Sequence, residues 1–556
     1  MSVRSLLRLL LTLLFPVALL STTYLYLYPI AHGCAFPTPR SATSAKPIDS
    51  SSREGHPDPA CDGSGYISWA PFRLLVLADP QLEGDSSLPD PDHGFLPRLS
   101  RHWQDVSAYN LSVADRRIAF SSALKDMALR DIPDTLQALR KRVDLLGNDY
   151  YLAHISQALQ WLTRPTHVTV LGDLIGSQWV TDGEFERRGQ RYWSRVFGDG
   201  RRVEDDITRA KEDAAETMFA LDDESWERRI INIAGNHDIG YAGDVSEARI
   251  ARFERIFGRA NWDVRFEYPG SGNPPQDHRP TLHLVVLNSL NLDTPALSPD
   301  LQHASYDFIN SVISSRSRPV EDRSSFTLLL THLPLHKPAG VCVDAPYFDF
   351  FDFDDAEGRF KAGGVKEQNH LSDHGSRHGV LEGIFGMSHN PNAAGGGKGR
   401  NGLILTGHDH EGCDVWHHIP ANATVVEDRP EWSDEEANWQ ATPWAKAEPG
   451  TAHAGIREIT LRSMMGEFGG NAGLLSAWFD FDVGEWRYEI QMCKFGVQHI
   501  WWAVHILDIV TAMLGFAWAI IHVFLKEKRI SKAPDVKSDR GMQDGDSTKP
   551  MSPGKT

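Results

Sequence analysis

Ile230-Ile231-Asn232-Ile233-Ala234-Gly235-Asn236-His237-Asp238 is the stretch on which the fold turns. Its β-branched run predicts a buried strand, and Gly235 ends that strand where the backbone must turn sharply. Three polar side chains then stand at the strand's carboxyl end, where open α/β sheets place their ligands. Asn236 offers a neutral oxygen to a metal and His237 can donate a proton. Asp238 can hold that histidine in one orientation.

Four further strand ends repeat the pattern. Leu74 to Leu77 runs into Ala78-Asp79-Pro80-Gln81, and His167 to Leu171 into Gly172-Asp173. Phe326 to Leu330 runs into Thr331-His332, and Leu403 to Leu405 into Gly407-His408-Asp409-His410. Leu282 to Leu287 predicts one more strand. Helices are predicted over Arg117 to Arg140, Tyr150 to Leu162 and Ile207 to Leu221, so strands alternate with helices as in a layered α/β domain. Leu474 to Phe481 and Trp486 to Met492 predict a β-hairpin. Three segments, Gly84 to Asn110, Lys337 to Arg400 and His418 to Gly450, show no regular pattern and are expected to rim the site as long loops. The second carries an acidic-aromatic run, Tyr347 to Asp355, which reads either as a solvated loop or as a surface for a protonated amine.

One Asp or His after a strand is ordinarily a turn residue. Five such endings in one chain, two of them containing NHD or HxH, predict a metal site. Carboxylate, amide oxygen and imidazole suit manganese, iron or zinc. Two such ions about 3.5–4 Å apart clamp a phosphate and activate water for in-line attack.

The order D-x-Q, GD, GNHD, H, GHxH, spanning Asp79 to His410, is similar to that of the calcineurin-like metallophosphoesterases, whose usual first motif is D-x-H. The resemblance implies an α/β fold, a four-layer sandwich of two mixed β-sheets flanked by helices, with the dinuclear centre at the strand ends. It implies that one metal takes Asp79, Gln81, Asp173 and His410, and that the other takes Asp173, Asn236, His332 and His408. His237 becomes the general acid or a phosphate-stabilising residue, oriented by Asp238. Gln81 is the departure: a neutral amide is a weaker donor than the usual imidazole. The ions implied are two divalent cations, Mn2+ foremost, with Zn2+ or Fe as alternatives. Leu77-Ala78-Asp79-Pro80-Gln81-Leu82 and Gly466-Glu467-Phe468-Gly469-Gly470-Asn471, with two flanking spans, further resemble membrane-anchored metallophosphoesterases of the secretory pathway. Those remove ethanolamine phosphate from a mannose of glycosylphosphatidylinositol (GPI) anchors and so aid exit of anchored proteins from the endoplasmic reticulum. Glu467 is read as structural.

The ends of the chain agree with a membrane setting. Leu6 to Tyr28 is apolar over about the 20 residues a bilayer span needs, behind Arg4 and Arg8, and reads as a signal anchor more than a cleaved signal peptide. Ile500 to Leu525 is a second span, followed by Lys526, Lys528, Arg529 and Lys532. This charge placement predicts both termini cytoplasmic and the body luminal. The expected division is an anchor at 1–30, a linker at 31–70, the catalytic body at 71–495, a transmembrane helix at 498–525 and a disordered cytoplasmic tail at 526–556. Asp508, three residues after His505 on one helix face, costs roughly 2.5–3.5 kcal/mol at mid-bilayer and so requires a partner or an interfacial depth. Asn110-Leu111-Ser112 and Asn422-Ala423-Thr424 have the form of glycosylation acceptors. Of the five cysteines, Cys34, Cys61, Cys342, Cys413 and Cys493, none forms a C-x-x-C pair, and a Cys34–Cys61 bridge is one of the open pairings.

A net charge of -18 argues against a nucleic-acid partner. The expected partners are membrane lipid, GPI-anchored proteins as lipid-linked substrates, and cargo receptors of the early secretory pathway. Two alternatives stand beside this reading: action on another phosphoester, or a catalytically weak membrane adaptor linked to manganese handling.

Overall fold

The computed structural model describes residues 2–39, 69–88, 95–109, 112–209, 217–268, 279–316, 318–353, 359–388, 390–419, 439–447 and 455–530. In chain order, helix α1 is Val3–Ala31, β1 is Phe72–Leu77, α2 is Phe95–Ser107, α3 is Val113–Asp126 and α4 is Ile132–Thr163. Then come β2 (His167–Val170), α5 (Asp182–Arg191), β3 (Arg201–Arg202), α6 (Asp205–Thr208), β4 (Met218–Ala220) and β5 (Arg229–Asn232). The motif turn α7 (Asn236–Ile239) leads to α8 (Glu247–Phe257), β6 (Trp262–Glu267), β7 (Thr281–Val286), α9 (Pro299–Ser314) and β8 (Ser325–Leu330). β9 (Phe348–Phe350), β10 (Val365–Gln368), β11 (Gly402–Thr406), β12 (Cys413–His418) and β13 (Gln440–Pro443) follow. The chain closes with β14 (Gly455–Thr460), β15 (Asn471–Asp480), β16 (Glu485–Lys494) and α10 (Gln498–Ile530).

The chain divides into two units. One contains the apolar helices, through Leu25 and from Ala503 onward. Val3–Ala31 and Gln498–Phe524 are long and apolar enough to cross a membrane, each with a mean hydropathy of 2.0. Within this unit Thr22 Oγ1 donates to Asp508 Oδ2 at 2.7 Å, so the carboxylate has its partner on the other helix.

The second unit, Tyr26–Trp502, is built on two mixed sheets. The first has the order β16-β15-β1-β2-β5-β3 and the second β13-β12-β14-β11-β8-β7-β6-β4. β1, β2 and β5 run parallel, with Leu77 opposite Val170 and Val170 opposite Asn232. β8 and β11 are likewise parallel, with Leu330 opposite Leu405. These registers bring the strand ends level, so the motif residues that follow each strand emerge side by side. One apolar core joins the sheets: Leu74 and Val76 of β1 and Ile231 of β5 share it with Leu284 of β7, Leu328 of β8 and Leu405 of β11. Alternate residues of a strand face one side, and here that side is shared by both sheets.

Each predicted strand forms, and the hairpin appears as β15 and β16, paired antiparallel from Asn471↔Lys494 to Asp480↔Glu485. Three expectations fail. Ile207 to Leu221 is not a helix: α6 ends at Thr208, and Met218–Ala220 is strand β4, paired parallel with β6. There Phe219 stacks edge-on to Trp226, so tertiary pairing outweighs local helix propensity. Gly84 to Asn110 is not all loop, because α2 occupies 95–107. Lys337 to Arg400 folds in part as the β9–β10 hairpin and a π-helical segment, Gly375–Ile384. In the third segment β13 is regular, and most of the remainder lies outside the described residues.

Cys34 is bonded to Cys493, and Cys342 to Cys413, which corrects the Cys34–Cys61 option. Sequence spacing carries no information about which strand end the returning chain will meet. Cys61, the Asn110-Leu111 and Asn422-Ala423-Thr424 acceptor residues, Asp354, Asp355 and the tail from 531 lie outside the described residues.

Candidate metal centre

The five strand ends converge. Asp79, Gln81, Asp173 and His408 all take positive φ (52°, 42°, 50° and 73°), a region non-glycine residues seldom occupy and one that stores roughly 1–3 kcal/mol each. The surrounding bonds hold them there. The amide of Gln81 donates to the Asp173 carbonyl at 2.9 Å, and the His408 amide donates to Asp79 Oδ1 at 3.1 Å. Gly235 permits the closest approach: a Cβ there would fall 2.1 Å from the Asp173 nitrogen and 2.2 Å from its Oδ1.

Two ligand groups share Asp173. Asp173, His332 and His408 offer atoms all within 4.8 Å of one another, and so do Asp79, Asp173 and His410. Asn236 Oδ1 lies 2.9 Å from both His332 Nε2 and His408 Nδ1. Second contacts fix the rings: His332 Nδ1 meets the Leu171 carbonyl at 2.7 Å, and His408 Nε2 the Gln368 carbonyl at 2.9 Å. Such outer bonds orient metal-binding imidazoles.

The electrostatics favour a cation. Asp79 and Asp173 are both buried, and no Lys or Arg ion pair reaches either among the described residues. Burial and the neighbouring Asp173 charge hold the Asp79 carboxyl well above the usual range. Burial also pushes Asp173 up, but His332, His237 and His408 outweigh it and leave its carboxyl below the usual value. Burial lowers His332 and His410, and lowers His408 to about 3, so it disfavours the charged form that would compete with a metal for their lone pairs. Asp79 Oδ2 is buried without a hydrogen-bond partner. A buried, unpaired carboxylate oxygen facing neutral imidazoles and a second carboxylate is the donor set a hard or borderline divalent ion satisfies. The residues present fit the group.

Two expected roles change. Asp238 does not orient His237. Its Oδ2 accepts from the Gly235 and Leu174 amides at 2.9 and 3.2 Å, and its Oδ1 from the Ile175 amide at 3.0 Å. The side chain is fully buried, and burial followed by Asp173 raises its carboxyl. It ties the GNHD turn to the loop after β2, because the sharp turn at Gly235 leaves backbone amides that need an acceptor. His237 Nδ1 has no hydrogen-bond partner among the described residues, while its Nε2 stands 3.8 Å from Asp173 Oδ2. Gln81 lies in the second group, but its Nε2 is what approaches Asp173 Oδ2 and His410 Nε2, each at 3.1 Å.

No protein-family model matches the chain. Protein TED1 of Saccharomyces cerevisiae is 34% identical over 415 residues, which cover 68% of this chain and 78% of the yeast protein. The chain belongs to the TED1 family. An uncharacterized Schizosaccharomyces pombe protein is 27% identical over 442 residues, 76% of this chain and 89% of the relative. Metallophosphoesterase 1 of Mus musculus is 27% identical over 165 residues, 30% of this chain and 34% of the mouse protein.

The structure of this TED1-family chain adds Ser463 and Tyr241, which the sequence reading passed over, and shows what the quoted Gly466 to Asn471 stretch does. Ser463 Oγ donates to the Asp79 carbonyl at 3.0 Å, and Asn471 Nδ2 donates to the Ser463 and Phe468 carbonyls at 3.0 and 2.9 Å. Asn471 therefore braces the loop beneath Asp79. Glu467 is exposed in a 3-10 turn, near enough to His410 to act on it electrostatically. The Phe468 and His410 rings lie 4.8 Å apart. Tyr241 presents its ring edge-on to His408 at 6.2 Å; it stands three residues past Asp238, close enough in sequence for the motif to have flagged it.

Proposed function

We propose that this chain is a metal-dependent phosphodiesterase of the early secretory pathway that removes ethanolamine phosphate from a mannose of GPI-anchor glycans. One observation carries the reading: two ligand groups, Asp79 with His410 and His332 with His408 and Asn236, meet on a shared, buried Asp173. The motif order and the likeness to a mouse metallophosphoesterase support the coarser part, a metallophosphoesterase-like family. The GPI substrate rests on the membrane-anchored resemblance alone.

Asp79, Asp173, Asn236, His332, His408 and His410 would hold two divalent ions, Mn2+ foremost, with Gln81 at the rim of the second position. Bound there, such ions neutralise phosphate charge and activate water. The chain's residues do the rest. His237 is about one-third exposed at the mouth, so its Nε2 can reach a leaving mannose oxygen and supply a proton. His332 and His408, fixed by the Leu171 and Gln368 carbonyls, keep the donor set rigid during turnover. In this reading the two terminal apolar helices tether the chain to the membrane that holds a lipid-linked substrate, and the charges flanking them support a luminal body with both termini cytoplasmic.

The test uses the full chain in detergent with Mn2+ and a GPI glycan carrying ethanolamine phosphate on defined mannoses. Mass spectrometry should show loss of the group from one mannose, abolished in Asn236→Ala and His237→Ala. Cleavage of a generic phosphodiester without loss from the glycan would overturn the substrate. The orientation of the Gln81 amide favours a second reading, a weakly active membrane adaptor. Metal binding without cleavage of either substrate would select it.

A further inference from the structure

Helices α2, α3 and the first half of α4 are built inside out. Neither α2 nor α3 buries a single residue. On α4, Ile132, Leu136, Leu139, Val143, Leu146 and Tyr150 recur at steps of four and three, which places them on one face, and all six are exposed. Leu136 is 61% exposed. Leu96, Leu99 and Trp103 repeat the pattern on α2, and Ile118, Phe120 and Leu124 are exposed on α3.

What lies between the helices is polar. Asp131, nearly buried, accepts from Arg98 at 3.2 Å and pairs with His102 at 2.7 Å, and Arg98 also reaches Asp134 at 3.1 Å. A water-facing hairpin would put the ion pairs outside and the leucines within. The stripes of α2 and α4, with the exposed apolar residues of α3, together exceed the scattered exposed residues of an ordinary surface.

Two observations say what covers this face. At its far end α4 meets Tyr26 of α1 and Trp501 and Trp502 of α10, the residues of those helices that belong to the body unit. The Trp502 ring lies on α4 at Gly147, where a Cβ would fall 1.6 Å from it, and Trp501 stands edge-on to Tyr151 at 6.3 Å. Tyr26 packs edge-on against His154 at 4.6 Å. These three residues are next in sequence to the two apolar stretches, and the exposed stripe begins beside them, at Tyr150. It runs about 27 Å to Ile132 at 1.5 Å per residue. Second, in a chain of net charge -18, residues 95–146 contain nine Lys or Arg against six Asp. Arg101, Arg116, Arg117, Arg130, Arg140 and Arg142 are exposed among the apolar stripes. Apolar stripes flanked by arginine fit the boundary between acyl chains and anionic headgroups.

We infer that α2, α3 and the first half of α4 form an arm that lies in the interface of an anionic bilayer, the one the terminal helices enter. The arm adds a broad lipid contact to the two anchors. The inference rests on the reading of α1 and α10 as membrane helices, and its test separates the two. The full chain is reconstituted in vesicles of phosphatidylcholine and phosphatidylserine containing a phospholipid with a photoactivated carbene precursor on its acyl chain. Labelled peptides are then mapped by mass spectrometry.

Peptides from 95–150 should carry lipid adducts along with those of α1 and α10. In a Leu136→Glu, Leu139→Glu, Val143→Glu variant the arm's labelling should fall by about tenfold while the terminal helices stay labelled. The replaced side chains are exposed, so the body keeps its thermal unfolding midpoint. Labelled terminal helices with an unlabelled arm would overturn the arm and leave the membrane reading intact. No labelling of either would overturn both. Cross-linking of Lys125 or Lys141 to another copy, without lipid adducts, would make this face a subunit contact and overturn the inference.

Discussion

Asp79→Asn should have opposite effects on the metal-free and metal-loaded protein. In the metal-free fold Asp79 is fully buried, its Oδ2 has no partner, and the neighbouring carboxylate of Asp173 repels it. An asparagine keeps the acceptor for the His408 amide, now at 3.1 Å, and removes the charge. The gain has a ceiling, because the carboxyl can instead take up a proton. Holding a group of ordinary pKa about 3.9 protonated at pH 7 costs about 4 kcal/mol, so the stabilisation lies between zero and that figure. The pH dependence fixes its sign. Below about pH 3.9 both folded and unfolded chains carry the proton and the substitution gains nothing. Above it the unfolded chain ionises while the folded one resists. The wild type therefore loses up to about 1.4 kcal/mol per pH unit relative to the variant, until the raised folded pKa is passed.

Metal reverses the order. At a free Mn2+ concentration near 100 times its dissociation constant, binding stabilises the wild type by about 2.7 kcal/mol. The variant should lose most of that. Tryptophan fluorescence during denaturant unfolding of the full chain in detergent, with and without Mn2+ from pH 4 to 8, reads all four states. An unchanged or lowered metal-free stability, or Mn2+ stabilisation equal to that of the wild type, would refute the assignment of Asp79 as a buried ligand.

Other perturbations follow from the same contacts. Gly235→Ala drives a methyl group into the Asp173 backbone and should weaken Mn2+ binding by about 10–100-fold, read by calorimetry. Asp238→Ala strips three buried amides of their acceptor and should cost about 2–4 kcal/mol in denaturant unfolding. It should leave the pH profile of turnover unshifted, since His237 does not lean on Asp238. Glu458→Ala leaves the fully buried Lys337, now 3.0 Å from Glu458 Oε2, without a counter-charge and should cost about 3–5 kcal/mol. Burial pushes the Glu458 carboxyl up, but Lys337 and His417 outweigh it and hold it at about 2. Its contribution is therefore full above the ordinary glutamate value and is lost as pH falls through about 2, a limb the variant's acid-unfolding curve should lack.

The strands and the ligand set were legible because both are written locally. Apolar, largely β-branched runs mark the strands, and a Gly, Ala or Thr followed by Asp, Asn or His marks each carboxyl end. Parallel register then brings those ends together, as Leu77↔Val170 and Leu330↔Leu405 do here. What escaped is set by long-range contact. Met218-Phe219-Ala220 becomes β4 only because β6 lies beside it, and Cys34 finds Cys493 across 459 residues. Residues 95–107 read as loop in the sequence although Leu96, Leu99 and Trp103 recur at helical spacing, and no sequence pattern says whether such a face meets a core or a lipid.

Asp238 shows why adjacency misleads in a motif. An acid next to a histidine invites pairing, yet the geometry of the turn decides otherwise. Asp173, Gln81, Asp79 and His408 sit in left-handed backbone, and loops of that kind stay closed only where other bonds over-determine them. Asp238 supplies three such bonds between the GNHD turn and the loop that presents Asp173. His237 is thereby left with an Nδ1 that has no hydrogen-bond partner among the described residues and an Nε2 at the mouth, free to turn toward a substrate oxygen. A base fixed by a carboxylate would be poised to take a proton. An imidazole held by no carboxylate can turn its Nε2 toward the departing oxygen and give up a proton carried there as the leaving group departs. The loop tie and the proposed acid role of His237 thus come from one arrangement, and Asp238→Ala tests them together: stability falls while the pH profile stays.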